Sequence, residues 1–530
     1  MRARRLAVAV GLVLSTSLLP AFASAASPRP CAGSLKGGDW PAYGGPVLGQ
    51  NNQVAEKRIS TATVASLGLA WQSAPSGFQA VPVVSGRCVY ATDLGHVQAF
   101  DIGTGKLVWR TPVALPYTEF APFAVAVADG VVHVDYDNKL SPRATAFDAQ
   151  TGRRLWTSES VTFGYRAWQL SSPSVAGNLR FFTTTGPDFD PHARPGFAVM
   201  DARTGRVLTK RATIPLADYR KGYSGGGIWG TPVIDPRGLY AYAGTSNPYS
   251  KTKEHAYDNA MLKIDVNPKR KTFGQVVASF KGTPDNIVGQ PVYDGPVCQT
   301  AEAVAPSSSF SSVPCLQNDV DFGNSPTLWR DAHGQLMVSQ LQKFGIMFTV
   351  RASDMRQVWN SGPIGTDSEL TLTGGNHGNA ATDGKRLYTM TNPGTLEALD
   401  AATGKLVWAN ALVEPMASKN VALANGVLFA SDYAGVHAFD AATGARLWDS
   451  LRTGQALNCG NESDMLSMAH GTVLANCGGT IAAFRLPAWP RCVIAAEPDC
   501  GVLVMTSRSP APLASSLLSV TLMCDVSSHR

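Results

Sequence analysis

Charge is scarce in this chain of 530 residues: only 16% are Asp, Glu, Lys or Arg, and the formal net charge is +6. Three of the cations, Arg2, Arg4 and Arg5, belong to an amino-terminal segment read below as removable, and without them the balance falls from +6 to +3. So thin an excess over this length excludes nucleic acid and an anionic membrane surface as partners. Beyond that segment no stretch reaches the ~18 uncharged apolar residues of a spanning helix, and Ser and Pro interrupt the tail around PAPLASSLLSVTLMC, so no membrane span is expected. No C-x-x-C-H occurs, which excludes covalent c-type haem, and no zinc, P-loop or Ser-His-Asp wording stands out.

What is abundant is glycine and proline, 51 and 34 residues, in a chain that is 44% hydrophobic, a balance that suits one large β-rich body. Residues 1–25, MRARRLAVAVGLVLSTSLLPAFASA, join a basic start, an apolar run and a small-residue ending, the pattern of a secretory signal cleaved near Ala25. A secreted or periplasmic protein is therefore expected. All nine cysteines follow the signal, and export permits disulfides. Near neighbours in sequence are Cys298 with Cys315, Cys459 with Cys477, and Cys492 with Cys500; the odd number leaves one over.

One phrase recurs. AFDIGTGKLVW (99–109), AFDAQTGRRLW (146–156), VMDARTGRVLT (199–209), ALDAATGKLVW (398–408) and AFDAATGARLW (438–448) each contain a strand, an Asp, a Thr-Gly turn and a second strand. An Asp side chain at the strand end caps the backbone that follows, and Gly supplies a positive φ, so the phrase is a hairpin. Degenerate copies at 263–273, 350–359 and 482–487 bring the count to eight, with anchors at Asp101, Asp148, Asp201, Asp265, Asp354, Asp400, Asp440 and Phe484. Another strand pair precedes each hairpin, and two pairs make one four-stranded blade. The fold expected is all-β, an eight-bladed β-propeller of antiparallel blades. Its parts are a signal (1–25), an N-terminal lead-in closing onto the ring (26–70), the propeller (71–490) and a C-terminal tail (491–530). The recurring Trp109, Trp156, Trp408 and Trp448 are expected to dock between blades.

Anchor spacings of 64 and 89 residues flank Asp265, against 40 to 53 elsewhere, so extra loops project there and the chemistry is sought in about 220–345. GGGIWGTPVIDPRGLYAYAGTSNPYS (225–250), NDVDFGNSPTLW (318–329) and QKFGIMFTV (342–350) lie in that window. With the blade phrase and the opening DWPAYGGPVLGQNNQ, they resemble the pyrroloquinoline quinone (PQQ) propellers of quinoprotein alcohol dehydrogenases. The D-F-G-x-S-P wording is most similar to the polyvinyl alcohol dehydrogenase branch.

This resemblance implies a PQQ- and calcium-dependent dehydrogenase. Trp229 would form the floor under the quinone, with Gly226 and Gly227 letting backbone approach it, and Asn247 would ligate calcium. Asp321 would be both metal ligand and catalytic base, with Asp319 as its competitor beside the cofactor. Lys343 would hydrogen-bond the quinone oxygens. The family's Glu ligand has no counterpart in 183–201, so Asp188 or Asp190 takes that place. A flat apolar indole suits a planar tricycle, and a hard oxygen-bound cation suits its carboxylates. The substrate implied is a primary or secondary alcohol, polyhydroxylated and polymeric ones included. With no haem motif in the chain, electrons leave to an external acceptor such as a cytochrome. A second reading is a non-catalytic propeller of the same family that binds a protein or a glycan. His377, in GGNHGNA, reads as a polar loop residue.

Overall fold

The computed structural model describes residues 29–487 apart from 47–48, 94, 114–123, 138–140, 165–166, 187–189, 251–252, 283–320, 344, 365–377, 392–393, 413–419, 455 and 460–464. The signal, the tail and the pairs Cys298–Cys315 and Cys492–Cys500 fall outside the described residues.

Among the described residues the strands form eight antiparallel sheets of four. The blades, I to VIII, begin at Gln79, Ala126, Ser174, Val233, Thr327, Ala381, Ala422 and Leu466. Blade I shows the pattern, with strands Gln79–Ser85, Cys88–Thr92, His96–Asp101 and Leu107–Pro112. First strands of neighbouring blades touch one another from I to IV and from V to VIII, and that of blade VIII touches that of blade I, so these strands surround the axis. Blade VIII supplies only three strands of its own. Its fourth is Gly68–Gln72, from the start of the ring, paired antiparallel with Thr480–Arg485. The ring is thereby closed by hydrogen bonds between chain regions some 400 residues apart, and radial packing leaves each blade only short edges.

The repeated phrase builds the seams between blades. In blade I, Asp101 ends the third strand, and its Oδ1 accepts both the N–H and the hydroxyl of Thr104 at 2.9 Å. A bulge then shifts the register between Ala99 and Phe100, and one recurs at the matching place in blades II to VII. Gly105 turns the chain with φ +70°, and a Cβ there would lie 2.6 Å from Trp71 of the preceding blade. Glycine thus serves the turn and leaves room for the neighbouring indole. The indole N–H groups of Trp71, Trp109, Trp359, Trp408 and Trp448 donate to the carbonyls of Ile102, Ala149, Ala401, Ala441 and Leu67 at 2.8–3.2 Å. Trp156 departs from this: the fully buried guanidinium of Arg180 stands 5.7 Å from its ring and pairs with Asp135. Burial lowers the Arg180 pKa to about 9. In blade III the Trp position is Thr209, and it packs against Gly274 of blade IV.

The lead-in does more than join the ring. Trp40 bridges Val84 of blade I, and the Pro41 carbonyl accepts from Val127 of blade II. Farther on, Gln50 donates to Leu328, Asn51 to Ala380, Asn52 to Thr382 and Gln53 to Met468, reaching the first strands of blades V, VI and VIII. Asn52 also bridges Leu423 of blade VII. Residues 40–41 and 50–53 therefore hydrogen-bond first strands from both sides of the ring. A disulfide between Cys31 and Cys88 ties the lead-in to blade I, a pairing that 57 residues of separation hid from the sequence reading. The second bond, Cys459–Cys477, is the near-neighbour pair expected.

Candidate functional site

Antiparallel alternation sorts the loops. Thr-Gly turns join third to fourth strands at one face of the ring, and crossovers between blades and turns from second to third strands lie at the other. Every candidate the structure describes belongs to that second face. Trp229 lies in the crossover from blade III to blade IV. Asn247 follows the second strand of blade IV, Tyr240–Gly244. Asp321 lies in the crossover to blade V, before Thr327–Arg330, and Lys343 follows the second strand of blade V, Leu336–Gln342.

Three of these side chains converge. The indole N–H of Trp229 donates to Asp321 Oδ2 at 2.8 Å. Lys343 Nζ is 3.1 Å from Asp321 Oδ1, and the same ammonium stands over the Trp229 ring, 4.9 Å from its centroid. The Lys343 backbone N–H donates to the Asp321 carbonyl at 3.0 Å, so main chain as well as side chain fixes the pair. Asp321 and Lys343 side chains are only 5% and 12% exposed, which strengthens their attraction relative to a surface pair.

The D-F-G wording has a physical account. Asp321 holds the indole and the ammonium. Phe322 is fully buried among Tyr242, Met261 and Phe348, and its N–H donates to the Thr245 carbonyl at 3.1 Å, laying the two loops side by side. Gly323 adjoins the indole so closely that a Cβ would fall 1.9 Å from it. Carboxylate, anchor and clearance are consecutive residues.

The glycine run works differently from the expectation. At Gly227 the space a side chain needs is held by Thr185 Oγ1 and the Tyr249 hydroxyl, 2.2 and 2.5 Å from an ideal Cβ; at Gly226 Thr213 stands at 3.0 Å. Gly225 pairs with Pro248 in an isolated bridge. These glycines bring the Trp229 crossover against the Asn247 turn and blade III, so their close approach is to protein. Two residues the sequence reading passed over hold this arrangement. Tyr249, buried, places its hydroxyl 3.0 Å from Thr185 Oγ1, 3.1 Å from the Gly186 N–H and 3.2 Å from Ser246 Oγ. Asp258 is fully buried and accepts the His255 N–H at 2.7 Å; burial pushes its carboxyl well above the usual range. Neither falls in a periodic pattern, so only the density of polar residues in SNPYS and HAYDNA hinted at them.

The residues fit a planar acid: a half-buried indole offers the platform and Lys343 a charge for its anionic groups. For a hard cation, buried Asn247 and Asp321 offer oxygen donors of the right chemistry. Among the described residues no three His, Cys, Asp or Glu side chains group as a metal site. Asp188, Asp319 and His377 lie outside the described residues. Asp190 accepts the His192 N–H at 3.0 Å within its own turn.

Comparison with known proteins places this geometry. The chain belongs to the PQQ_2 family. That family's model, described as outer membrane protein assembly factor BamB, matches residues 56–292 and 345–488. A polyvinylalcohol dehydrogenase of Sphingopyxis sp. (strain 113P3) is 26% identical over 442 residues, 74% of this chain and 64% of that protein. This chain thus spans somewhat under two thirds of the length of that relative. The quinohemoprotein alcohol dehydrogenase from Comamonas testosteroni superposes with a TM-score of 0.63 at 17% identity, over 88% of this chain and 82% of that one. BamB from Moraxella catarrhalis gives 0.50 at 14%, over 79% and 99%. At these identities the two solved structures speak to the fold alone.

Proposed function

We propose that this PQQ_2 propeller is an extracytoplasmic dehydrogenase that oxidises primary or secondary alcohols, polyhydroxylated and polymeric ones included, using PQQ and calcium. The observation that carries the reading is the convergence of Trp229, Asp321 and Lys343 from two crossovers and a turn. Similarity to a polyvinylalcohol dehydrogenase supports it. When bound, PQQ would supply an o-quinone as the two-electron oxidant. Asn247 and Asp321 would hold calcium, which would supply Lewis acidity.

The protein's own residues do the rest. Asp321 takes the hydroxyl proton of the alcohol, and its hydrogen bond from Trp229 fixes the carboxylate relative to the platform. Lys343 directs a charged hydrogen bond to the oxygen where negative charge grows. Burial of the Asp321 side chain, 5% exposed, keeps most water from the carboxylate. Electrons then leave to an external acceptor, a cytochrome or a dye.

A second reading, a propeller that binds a protein or glycan without chemistry, draws on the assembly-factor description of the family model. One experiment separates the two. Apoprotein is mixed with PQQ and calcium, and dye reduction is followed across small secondary alcohols, polyols and polyvinyl alcohol. Turnover that requires cofactor supports the dehydrogenase. No turnover, with no thermal shift from PQQ, supports the binding propeller.

A further inference from the structure

The platform of the candidate site is occupied by the protein itself. Lys343 Nζ lies 4.9 Å from the centroid of the Trp229 ring, inside the ~6 Å range of cation–π attraction, and 3.1 Å from Asp321 Oδ1. Backbone at Gly323 crowds the same indole so tightly that not even a methyl fits between them. A planar molecule stacks at about 3.5 Å from a ring, the separation of carbon atoms in contact. An ammonium and a stacked tricycle therefore cannot share one face of Trp229.

From this geometry we infer that Lys343 covers the Trp229 face in the free protein and transfers to the anionic groups of an incoming planar acid, uncovering the ring as it goes. The inference rests on the reading of Trp229 as a platform. The side chain suits the part: a four-carbon stem of rotatable bonds carries the charge, and the residue sits in the turn after a strand. Attraction to the indole and the carboxylate holds it over the ring, and charged hydrogen bonds to the ligand replace those contacts once it moves. The move also frees Asp321 Oδ1 from the ammonium on the same event that brings in the ligand. Selection follows, because a flat molecule without acidic groups must displace Lys343 and gains no ion pair in return.

Equilibrium binding tests this without turnover. Dissociation constants of PQQ, a tricarboxylate, and of phenanthrene, an uncharged flat tricycle without oxygen, are measured by calorimetry for the wild type, Lys343→Ala and the double variant Trp229→Ala/Lys343→Ala. Lys343→Ala is expected to weaken PQQ about tenfold, the loss of one charge-assisted hydrogen bond, and to tighten phenanthrene several-fold. The double variant is expected to lose the second effect. Weakening of both ligands, no change in the uncharged one, or a gain that survives removal of the indole each overturns the inference. Wild-type protein that binds PQQ without those opposite signs sinks the inference alone. Wild-type protein that binds neither ligand sinks the proposed function with it.

Discussion

Trp229 and Asp321, 92 residues apart in sequence, share a hydrogen bond of 2.8 Å between the indole N–H and Oδ2. Platform and carboxylate are therefore one unit, and a variant at Asp321 must preserve the acceptor if the loss of the base is to be read alone. Asp321→Asn does so, because its amide oxygen can take the same N–H. Turnover is expected to fall by roughly 10²–10⁴. Stability, followed by urea denaturation, should change by no more than about 1–3 kcal/mol, since Lys343 retains a route to water. Undiminished turnover in this variant would remove Asp321 from the chemistry.

Gly323 offers a steric test of the same unit. A methyl group there would meet the indole at 1.9 Å, along the ring edge that carries the N–H bonded to Asp321. Gly323→Ala is expected to push Trp229 off its acceptor and to cost about 1–3 kcal/mol. PQQ affinity should fall together with stability. If calorimetry finds cofactor binding intact, the floor lies elsewhere.

How much of this was legible in advance depended on which physical rule applied. The blade phrase repeats because most seams use the same Asp cap, positive-φ turn residue and indole, so five full copies and three degenerate ones made the fold legible. Trp229, Asp321 and Lys343 were reachable only through wording shared with a family, because nothing in local periodicity reports that two crossovers and a turn meet. Cys31 with Cys88, and the contacts of residues 40–41 and 50–53 with blades on both sides of the ring, were hidden, since pairing over 57 residues or across a ring leaves no trace in spacing. The glycines of 225–227 were read as clearance for a ligand, and their vacated space is filled by Thr185, Tyr249 and Thr213 instead. A glycine announces close approach without saying of what.

Seam tryptophans differ in how much they hold. Trp448 is fully buried, meets Phe484 edge to face at 5.2 Å between centroids and donates to Leu67, just before the strand that closes the ring. Trp408 makes the corresponding bond to Ala441 but is only partly buried. Trp448→Ala is expected to cost about 3–5 kcal/mol and Trp408→Ala clearly less. Chemical denaturation of the two variants under identical conditions decides it, and equal costs would mean that closure of the ring bears no special share of stability.

Asp258 makes a prediction in pH. Its carboxyl is raised well above 3.8 by burial, so the folded protein keeps a proton that the unfolded chain releases as pH climbs past that value. Between those limits the native state binds more protons than the unfolded state, and stability falls with rising pH at a slope of at most about 1.4 kcal/mol per unit from this group. Asp258→Asn mimics the protonated form, retains an oxygen for the His255 N–H and removes that slope. Urea denaturation of wild type and variant from pH 4 upward should therefore show their difference shifting toward the variant as pH rises. A difference that stays constant over the range would mean that Asp258 is already ionised in the fold, with its charge met by neighbours such as Lys281.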